Sequence, residues 1–324
     1  MDIDAGLKPN VLMCGRDEHI KPARLVTLSA PVAMIADQLS FLSEALTYFG
    51  EPCTTSTSLD EDSLNVVIEG FTPFGARYVR DFCERTGKKI AIVMTEHIAV
   101  KGQVIFNDVP MSRANEYTPN APGRLRNLCQ LLPYVRAFWI AGHLPDALKL
   151  GEVFPHVPII HVPYVPMRLD EGLMETRRRF ELSFTGTMTK YRRSLLDEIN
   201  RHYNCCHTFS DDIELRRRIV VESVYTLQIP QHAKWRYLSP MRALFSLRSG
   251  TPMLNVSAYE DEIFDGIVPR IAPNDVIPAL AHYLGTDART VYANAMAAYN
   301  AMADRSVRSS KLSAALRIWN DLEP

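Results

Sequence analysis

Two strand–turn–helix units in series most limit the fold that this chain can adopt. In the first unit, an apolar strand over 180–184 leads through a turn of small residues to a predicted helix over 191–199. In the second unit, the strand 224–229 precedes a helix with Ser239 placed as its N-cap and Pro240 at its first position. This alternation is typical of α/β proteins with a parallel sheet.

The turn of the first unit has the chemistry of an anion site. Gly186 lets a ligand approach the backbone, while Lys190, Arg192 and Arg193 bring positive charge to the start of the helix. A helix N-terminus also presents unpaired N–H groups and the positive end of the helix dipole. Arg242 lies in the first turn of the second helix and is expected near the same anion site. Neither turn fits GxGxxG or the Walker A pattern, which argues against a dinucleotide dehydrogenase and a P-loop NTPase.

The segments 184–187, 191–196 and 239–254 resemble the donor-binding half of GT-B glycosyltransferases. The resemblance covers the second half of the chain by motif and the first half by pattern. It implies that the first turn lies near the donor diphosphate and that the second helix lies beside the donor nucleotide and sugar. The residues that it carries over to the donor site are Gly186, Thr187, Arg192 or Arg193, Ser239 and Arg242.

One part of the GT-B pattern is missing. Retaining members of this fold often carry two glutamates separated by seven residues, and Tyr237 and Phe245 occupy those positions here. The stereochemical outcome therefore stays open. Two alternatives to a transferase also stay open: a nucleotide-sugar epimerase of the same fold, and a non-catalytic protein that binds nucleotide sugar without turnover.

The first half of the chain also alternates strands with helices. The sequence predicts strands at 25–28, 64–68, 90–94, 137–141 and 158–162, and helices at 35–49, 76–86 and 124–133. Ligands of such sheets bind beyond the C-terminal ends of the strands. Together with the resemblance, this predicts an α/β fold of two Rossmann-like, doubly wound parallel-sheet domains that face a cleft.

Two prolines and a charged run separate the two sheet patterns. We therefore predict an N-terminal acceptor domain over 1–167 and a C-terminal nucleotide-sugar donor domain over 168–308. A last helix within 309–324, whose Leu312 and Leu316 lie at helical spacing, is expected from the resemblance to pack back on the N-terminal domain.

The candidates for a catalytic base follow apolar strands of the first half. Glu96 and His97 come directly after the strand 90–94 and are expected at the ligand edge of the sheet. Either side chain can accept the proton of an acceptor hydroxyl. The alternative is that His97 caps the strand and Glu96 pairs with a nearby Lys or Arg. His143 follows the strand 137–141 and is the second candidate base.

Two further residues of the second half are candidates for donor contacts. His232 lies on the loop before the second helix, within reach of phosphate or sugar, and Glu260 follows the strand 252–256, within reach of sugar hydroxyls. The acidic triplets at 60–62 and 260–262 are interpreted as solvated faces, so no metal is predicted. The resemblance implies that helix dipoles and basic side chains stabilise the departing diphosphate, with no cofactor besides the nucleotide diphosphate sugar as co-substrate.

Composition limits the partners and the compartment. A formal net charge of −1 argues against nucleic acid bound through bulk charge. No apolar stretch approaches the roughly 18 residues of a membrane span, and the first residues lack the charge of a signal peptide. The six cysteines contain no CxxC pair, so neither a disulfide framework nor a zinc ribbon is indicated.

The sequence therefore predicts a cytoplasmic glycosyltransferase for carbohydrate biosynthesis. It would move a sugar from a nucleotide diphosphate sugar to a hydroxyl without a metal. The acceptor, which can be a glycan, lipid, protein or small molecule, stays open, as do peripheral membrane association and the oligomeric state.

Overall fold

Two parallel sheets in series form the framework of the protein. The computed structural model describes residues 21–28, 35–96, 98–100, 104–106, 109–110, 120–142, 147–167, 177–209, 212–312 and 316. We call the part that contains the first sheet the N-terminal lobe and the part that contains the second sheet the C-terminal lobe. The predicted α/β class with two parallel sheets is confirmed.

The N-terminal lobe is built on six parallel strands. They are β1 (Ala23–Val26), β2 (Cys53–Ser56), β3 (Leu64–Ile68), β4 (Ile90–Met94), β8 (Val135–Ala141) and β9 (Ile159–Val162), and three short strands form a separate antiparallel sheet, β5 (Ile98–Val100), β6 (Val104–Phe106) and β7 (Val109–Pro110). The helices are α1 (Ala36–Tyr48), α2 (Pro73–Thr86), α3 (Ala121–Leu131) and α4 (Ala147–Val153), with a 3-10 turn at Leu132–Tyr134. The order of the large sheet is β2-β1-β3-β4-β8-β9.

Local sequence explains why these elements form where they do. Every residue of β3 and β4 is buried, as expected for central strands covered by helices on both faces. The helix α2 begins at Thr72, whose hydroxyl accepts a hydrogen bond from the Gly75 amide at 3.1 Å, and Pro73 follows in the first turn. It ends at Gly87, which adopts the left-handed conformation.

The C-terminal lobe contains five parallel strands. They are β10 (Phe180–Thr185), β11 (Cys205–Thr208), β12 (Ser223–Gln228), β13 (Met253–Val256) and β14 (Arg270–Ile271), accompanied by α5 (Lys190–Asn200), α6 (Ile213–Val221), α7 (Pro240–Arg248), α8 (Val276–Leu284), α9 (Ala288–Ser309) and a 3-10 turn at Pro273–Asp275. Their order is β11-β10-β12-β13-β14. The direction of winding reverses between β10 and β12, and such switch points are where doubly wound sheets bind ligands.

Some elements differ from the sequence prediction. The pattern did not predict β2, the sheet β5-β6-β7, α4 or α6. β2 is an edge strand of Cys-Thr-Thr-Ser without apolar alternation, and three consecutive arginines interrupt the apolar pattern of α6. The last strand of the second sheet, β14, has only two residues, and the long helix α9 continues to Ser309.

The ring of Tyr164 lies where the two lobes and α9 meet. It contacts Phe41 of α1, Phe264 of the C-terminal lobe and Tyr299 of α9 edge-on, with centroid distances of 5.7, 5.7 and 6.3 Å. Edge-to-face contacts of this kind add to the free energy gained by burying the rings. The same buried apolar cluster contains residues of both lobes, so the lobes share one core at this junction.

The helix α9 is hydrogen-bonded to the segment 164–167 that follows the first sheet. The Tyr299 hydroxyl donates to the Val165 carbonyl at 2.8 Å, and the Asn300 side chain accepts from the Met167 amide at 2.8 Å and donates to its carbonyl at 3.0 Å. Leu312 and Leu316 are buried in the shared core, while most of the predicted last helix lies outside the described residues. The predicted domain limits at 167 and 308 stay a prediction.

We expect Gly142→Ala to destabilise the protein more than an ordinary glycine substitution. Gly142 has φ +66°, and a methyl group added there would lie 2.4 Å from Cζ of Tyr164. The left-handed backbone and the displaced ring together should lower the free energy of unfolding by about 3 kcal/mol in denaturant titrations.

Gly50→Ala is the matched control, because Gly50 has φ +78° but no atom within 4 Å of the added methyl group. It should cost only the backbone strain, about 1 kcal/mol. Equal losses in the two variants would contradict the contact between Gly142 and Tyr164.

Candidate active site

The two predicted turns meet at the switch point of the second sheet. Gly186 directly follows β10, and Gln228 is the last residue of the neighbouring strand β12. A Cβ atom built on Gly186 would lie 3.1 Å from Nη2 and 3.2 Å from Nη1 of Arg242. The guanidinium group of the second unit therefore lies directly against the glycine of the first unit.

Arg242 is a half-buried cation in the first turn of α7. Its Nη1 lies 3.5 Å from Oε1 of Gln228. Burial lowers the pKa of Arg242; Asp37 acts in the opposite direction, and Arg216 adds to the lowering. A desolvated positive charge beside a glycine turn favours a bound anion, because the anion replaces the hydration that the guanidinium has lost.

Arg192, a predicted donor ligand, is buried inside the lobe. Its Nε donates to the Ile229 carbonyl at 2.9 Å, and its Nη1 donates to the Thr187 carbonyl at 2.8 Å. The guanidinium lies over the ring of Phe184, with its carbon 5.2 Å from the ring centroid. Burial, with Arg242 acting in the same direction, lowers the pKa of Arg192 to about 9. We infer that the Arg192 side chain supports the backbone of both turns and does not point toward a ligand at the edge of the sheet.

Thr189 is a second link between the turns, and the sequence analysis did not single it out. It is the N-cap of α5, and its hydroxyl accepts from the Arg192 amide at 3.3 Å. The same hydroxyl donates to the Gln231 carbonyl at 2.8 Å, beyond the end of β12. A threonine directly before a predicted helix is the usual sequence signal of an N-cap.

Three other predicted donor residues surround the first turn. Thr187, Lys190 and Arg193 are all exposed, so their side chains are accessible to a ligand. Ser239 occupies the N-cap position of α7, as predicted, but its side chain makes no capping hydrogen bond. The predicted N-cap position of Ser239 is therefore confirmed, without a hydrogen bond from its side chain.

The remaining donor candidates lie on loops at the same edge of the sheet. His232 is half-buried, and its ring meets Trp235 edge-on at a centroid distance of 5.8 Å. The side chain of Glu260 is 84% exposed and lies 3.6 Å from Nη2 of Arg270. His232 follows β12, the neighbour of β10, and Glu260 follows β13, the next strand along the sheet, and their roles stay predictions.

In the N-terminal lobe, Glu96 belongs to a charged group that the sequence predicted only in part. Nη1 of Arg124 lies 2.6 Å from Oε1 of Glu96, so Glu96 is paired with a basic residue, while its role as a base stays a prediction. Arg124 also forms an ion pair with Glu69, whose side chain is 1% exposed. The Thr95 hydroxyl donates to Glu69 at 2.9 Å. These contacts fix Glu96 at the C-terminal edge of β4.

The buried carboxylate of Glu69 was missed by the sequence analysis. Burial raises the pKa of Glu69, while Arg124 acts against that shift. Burial works to lower the pKa of Arg124, but Glu96 and Glu69 together raise it above its usual value. Glu69 directly follows the apolar strand β3, the same signal that drew attention to Glu96. His97 and His143 lie outside the described residues.

The N-terminal lobe also places Asp37 opposite the donor side. Nη1 of Arg216 on α6 lies 4.0 Å from Oδ2 of Asp37 on α1. Burial raises the pKa of Asp37, while Arg216, Arg248 and Arg242 act against that shift. No local pattern predicts this meeting, because Asp37 and Arg216 are far apart in the sequence.

Neither a metal cluster nor a membrane helix occurs in the described part of the chain. Its His, Cys, Asp and Glu side chains form no group of three or more that could hold a metal ion. No helix within those same residues has both the length and the apolar character needed to cross a membrane.

Solved structures share this arrangement of two sheets along nearly the whole chain. The T4 phage β-glucosyltransferase in complex with UDP and Mn²⁺ is 11% identical, with a TM-score of 0.50 over 93% of this chain and 97% of that chain. Sucrose-phosphate synthase from Thermosynechococcus elongatus is 10% identical, with a TM-score of 0.50 over 92% of this chain and 97% of that chain. The chain has the GT-B glycosyltransferase fold. No protein-family model and no curated protein matches the sequence.

We expect Gly186→Ala to weaken anion binding at this GT-B switch point. The added methyl group would lie 3.1 Å from both Arg242 and the Phe184 ring, so the guanidinium must shift. Calorimetric titration with UDP should give an affinity about tenfold lower, the loss expected when one charged hydrogen bond is displaced.

Gly123→Ala, with no atom within 4 Å of the added methyl group, is the control for this variant. It should bind UDP like the wild-type protein. An unchanged affinity in Gly186→Ala would mean that no ligand phosphate uses this turn.

Proposed function

We propose that this chain is a glycosyltransferase that moves a sugar from a nucleotide diphosphate sugar to an acceptor hydroxyl. The observation that carries the proposal is the contact between Arg242 and Gly186 at the switch point of the second sheet. Doubly wound sheets bind nucleotide phosphates at this position. The fold shared with a glucosyltransferase that binds UDP supports a nucleotide-sugar donor.

The donor diphosphate would lie between the first turn and Arg242. The start of α5 offers backbone N–H groups, and the exposed side chains of Lys190 and Arg193 add positive charge. Arg242 is already desolvated, so its interaction with the charge that develops on the leaving diphosphate is strong. Arg192 and Thr189 would hold the turn in shape without touching the donor.

These cationic groups are the basis for proposing a transfer that needs no metal and no cofactor. They supply the charge stabilisation that a divalent ion provides elsewhere. The test is to compare initial transfer rates after EDTA treatment and after addition of Mg²⁺ or Mn²⁺. A rate that falls to background with EDTA and returns with metal would contradict this part of the proposal.

The acceptor would enter from the N-terminal lobe. Glu96 is held there by Arg124, which is itself held by the buried Glu69. A carboxylate with a fixed orientation can accept a hydrogen bond from an acceptor hydroxyl, and Glu96, His97 and His143 stay the proposed candidates for the base. The proposed compartment is the cytoplasm, consistent with the free cysteines at 53, 83, 129, 205 and 206.

We expect Arg242→Ala to lose most nucleotide diphosphate binding. Wild-type protein should show a rise in thermal unfolding temperature with one or more of UDP, GDP, CDP, ADP and TDP, because these ligands bind only the folded state. The variant should bind the preferred nucleotide about 100-fold more weakly, since a charged hydrogen bond to phosphate is among the strong ones.

Arg201→Ala is the control, because Arg201 is exposed and its 2.7 Å ion pair with Glu198 lies on the surface, where such pairs contribute little to stability. It should behave like the wild-type protein. Wild-type affinity in Arg242→Ala would refute the proposed donor site. If the site holds, product analysis with the matching nucleotide sugar separates transfer to an acceptor from epimerisation and from binding without turnover.

A further inference from the structure

The N-terminal lobe contributes one carboxylate to the donor side of the cleft. Asp37 lies in the first turn of α1, which follows β1 at the C-terminal edge of the first sheet. Its side chain is 15% exposed, and Arg216 of the opposite lobe lies 4.0 Å away. Arg242 and Arg248 of α7 also act on Asp37 electrostatically. Asp37 therefore lies in contact range of Arg216 and is attracted by two further guanidinium groups, all three of which belong to the other lobe.

Two carboxylates of α1 lie beside arginines of the C-terminal lobe, and the balance of positive and negative charge differs between the two places. At the far end, Glu44 forms a direct ion pair with Arg248. At the near end, Asp37 lies 4.0 Å from Arg216 and is attracted by Arg242. The three guanidinium groups and two carboxylates leave a net charge of +1, and the excess lies at the end that contains Arg242.

A buried guanidinium without a counter-ion is costly, so Asp37 has a clear role before a ligand arrives. Its negative charge partly offsets the desolvation of Arg216 and Arg242. A separation of 4.0 Å is at the limit of an ion pair, so this attraction is one of charge rather than of a formed hydrogen bond. A contact of this kind can be exchanged for another anion without breaking a hydrogen bond.

We propose that Asp37 is the internal counter-anion of the donor site, and that the donor diphosphate competes with it for Arg216 and Arg242. The inference rests on the proposed function, since it takes the ligand beside Gly186 to be a diphosphate. The diphosphate brings at least two negative charges to guanidinium groups that Asp37 already partly neutralises. Asp37 therefore lowers the affinity of the donor and of the nucleotide product, which favours product release.

The exchange also links donor binding to the contact between the lobes. Asp37 and Arg216 lie on opposite lobes, so an anion that takes over Arg216 weakens this contact. The Glu44–Arg248 pair, two turns further along α1, stays in place. Donor binding thus weakens the contact between the lobes at Asp37 and leaves the Glu44–Arg248 ion pair intact.

The test compares Asp37→Asn with Glu44→Gln in the full-length chain. Each substitution removes one carboxylate charge from α1 with little change in volume. The probes are UDP and inorganic pyrophosphate, titrated calorimetrically at low and at high ionic strength. Pyrophosphate isolates the charge effect from recognition of the base and ribose.

We expect Asp37→Asn to bind both probes about tenfold more tightly than the wild-type protein, as the repulsion between like charges several ångströms apart is removed. The gain should shrink at high ionic strength. Glu44→Gln should stay within about twofold of wild type, because the charge it removes lies two turns away. Ligand-free Asp37→Asn should unfold at a lower temperature than wild type, since two desolvated guanidinium groups lose the attraction of this carboxylate.

A tighter-binding but less stable variant is a result that general damage to the fold does not produce. Asp37→Ser removes the same charge with a smaller side chain and should show the same gain. Equal or weaker binding in both Asp37 variants, with the wild-type protein binding both probes, would overturn the counter-anion role and leave the donor site standing. No binding of either probe by any of the proteins would overturn the donor site itself and this inference with it.

Discussion

The packing around Tyr164 is the interaction on which the rest of the structure depends. Its ring is contacted edge-on by Phe41, Phe264 and Tyr299, which come from α1, the C-terminal lobe and α9. Each sheet has apolar residues that must be buried away from water, and at this junction the two lobes bury them in one common core. The hydrogen bonds from α9 to the segment 164–167 then fix the angle at which the chain passes from one lobe to the other. The same packing of the lobes brings Asp37 of α1 within 4.0 Å of Arg216 on α6.

That geometry makes the electrostatics of the cleft a property of both lobes. The C-terminal lobe supplies Arg216 and Arg242, and the N-terminal lobe supplies Asp37. Neither set would be stable with its charge buried alone, since a desolvated ion without a partner is costly. Elsewhere at the same edge, Arg124 is held between Glu69 and Glu96. Under the proposed function, the cationic residues of the C-terminal lobe would suit a negatively charged donor, and the carboxylates of the N-terminal lobe would suit a hydroxyl acceptor.

Long apolar runs predicted most of the fold, and the exceptions have physical reasons. β3 and β4 were predicted as strands because their residues, apart from Asn65, are apolar, and α5 and α7 were predicted as helices because turn residues or an N-cap and proline precede them. The sequence pattern did not predict β2, because an edge strand needs little apolar surface. Its register is set by pairing with β1. The candidate donor turn was predictable because a glycine among small residues and the basic residues that follow it are local signals, whereas the N-cap Thr189 was not singled out. Arg192 shows the limit of that reasoning, because a basic residue after a glycine turn can point inward to backbone carbonyls as well as outward to a ligand.

The sequence by itself determined the two α/β patterns, the positions of the turns and the candidate donor residues, because these depend on periodicity and on side chains within a few residues of one another. Only the tertiary structure decided which distant residues meet: Gly186 with Arg242, Glu96 with Arg124 and Glu69, and Asp37 with Arg216. Strand order and the angle between the lobes set those distances. Both follow from how the helices pack on the sheets and on one another, and many arrangements of the same local elements would satisfy the local pattern equally well.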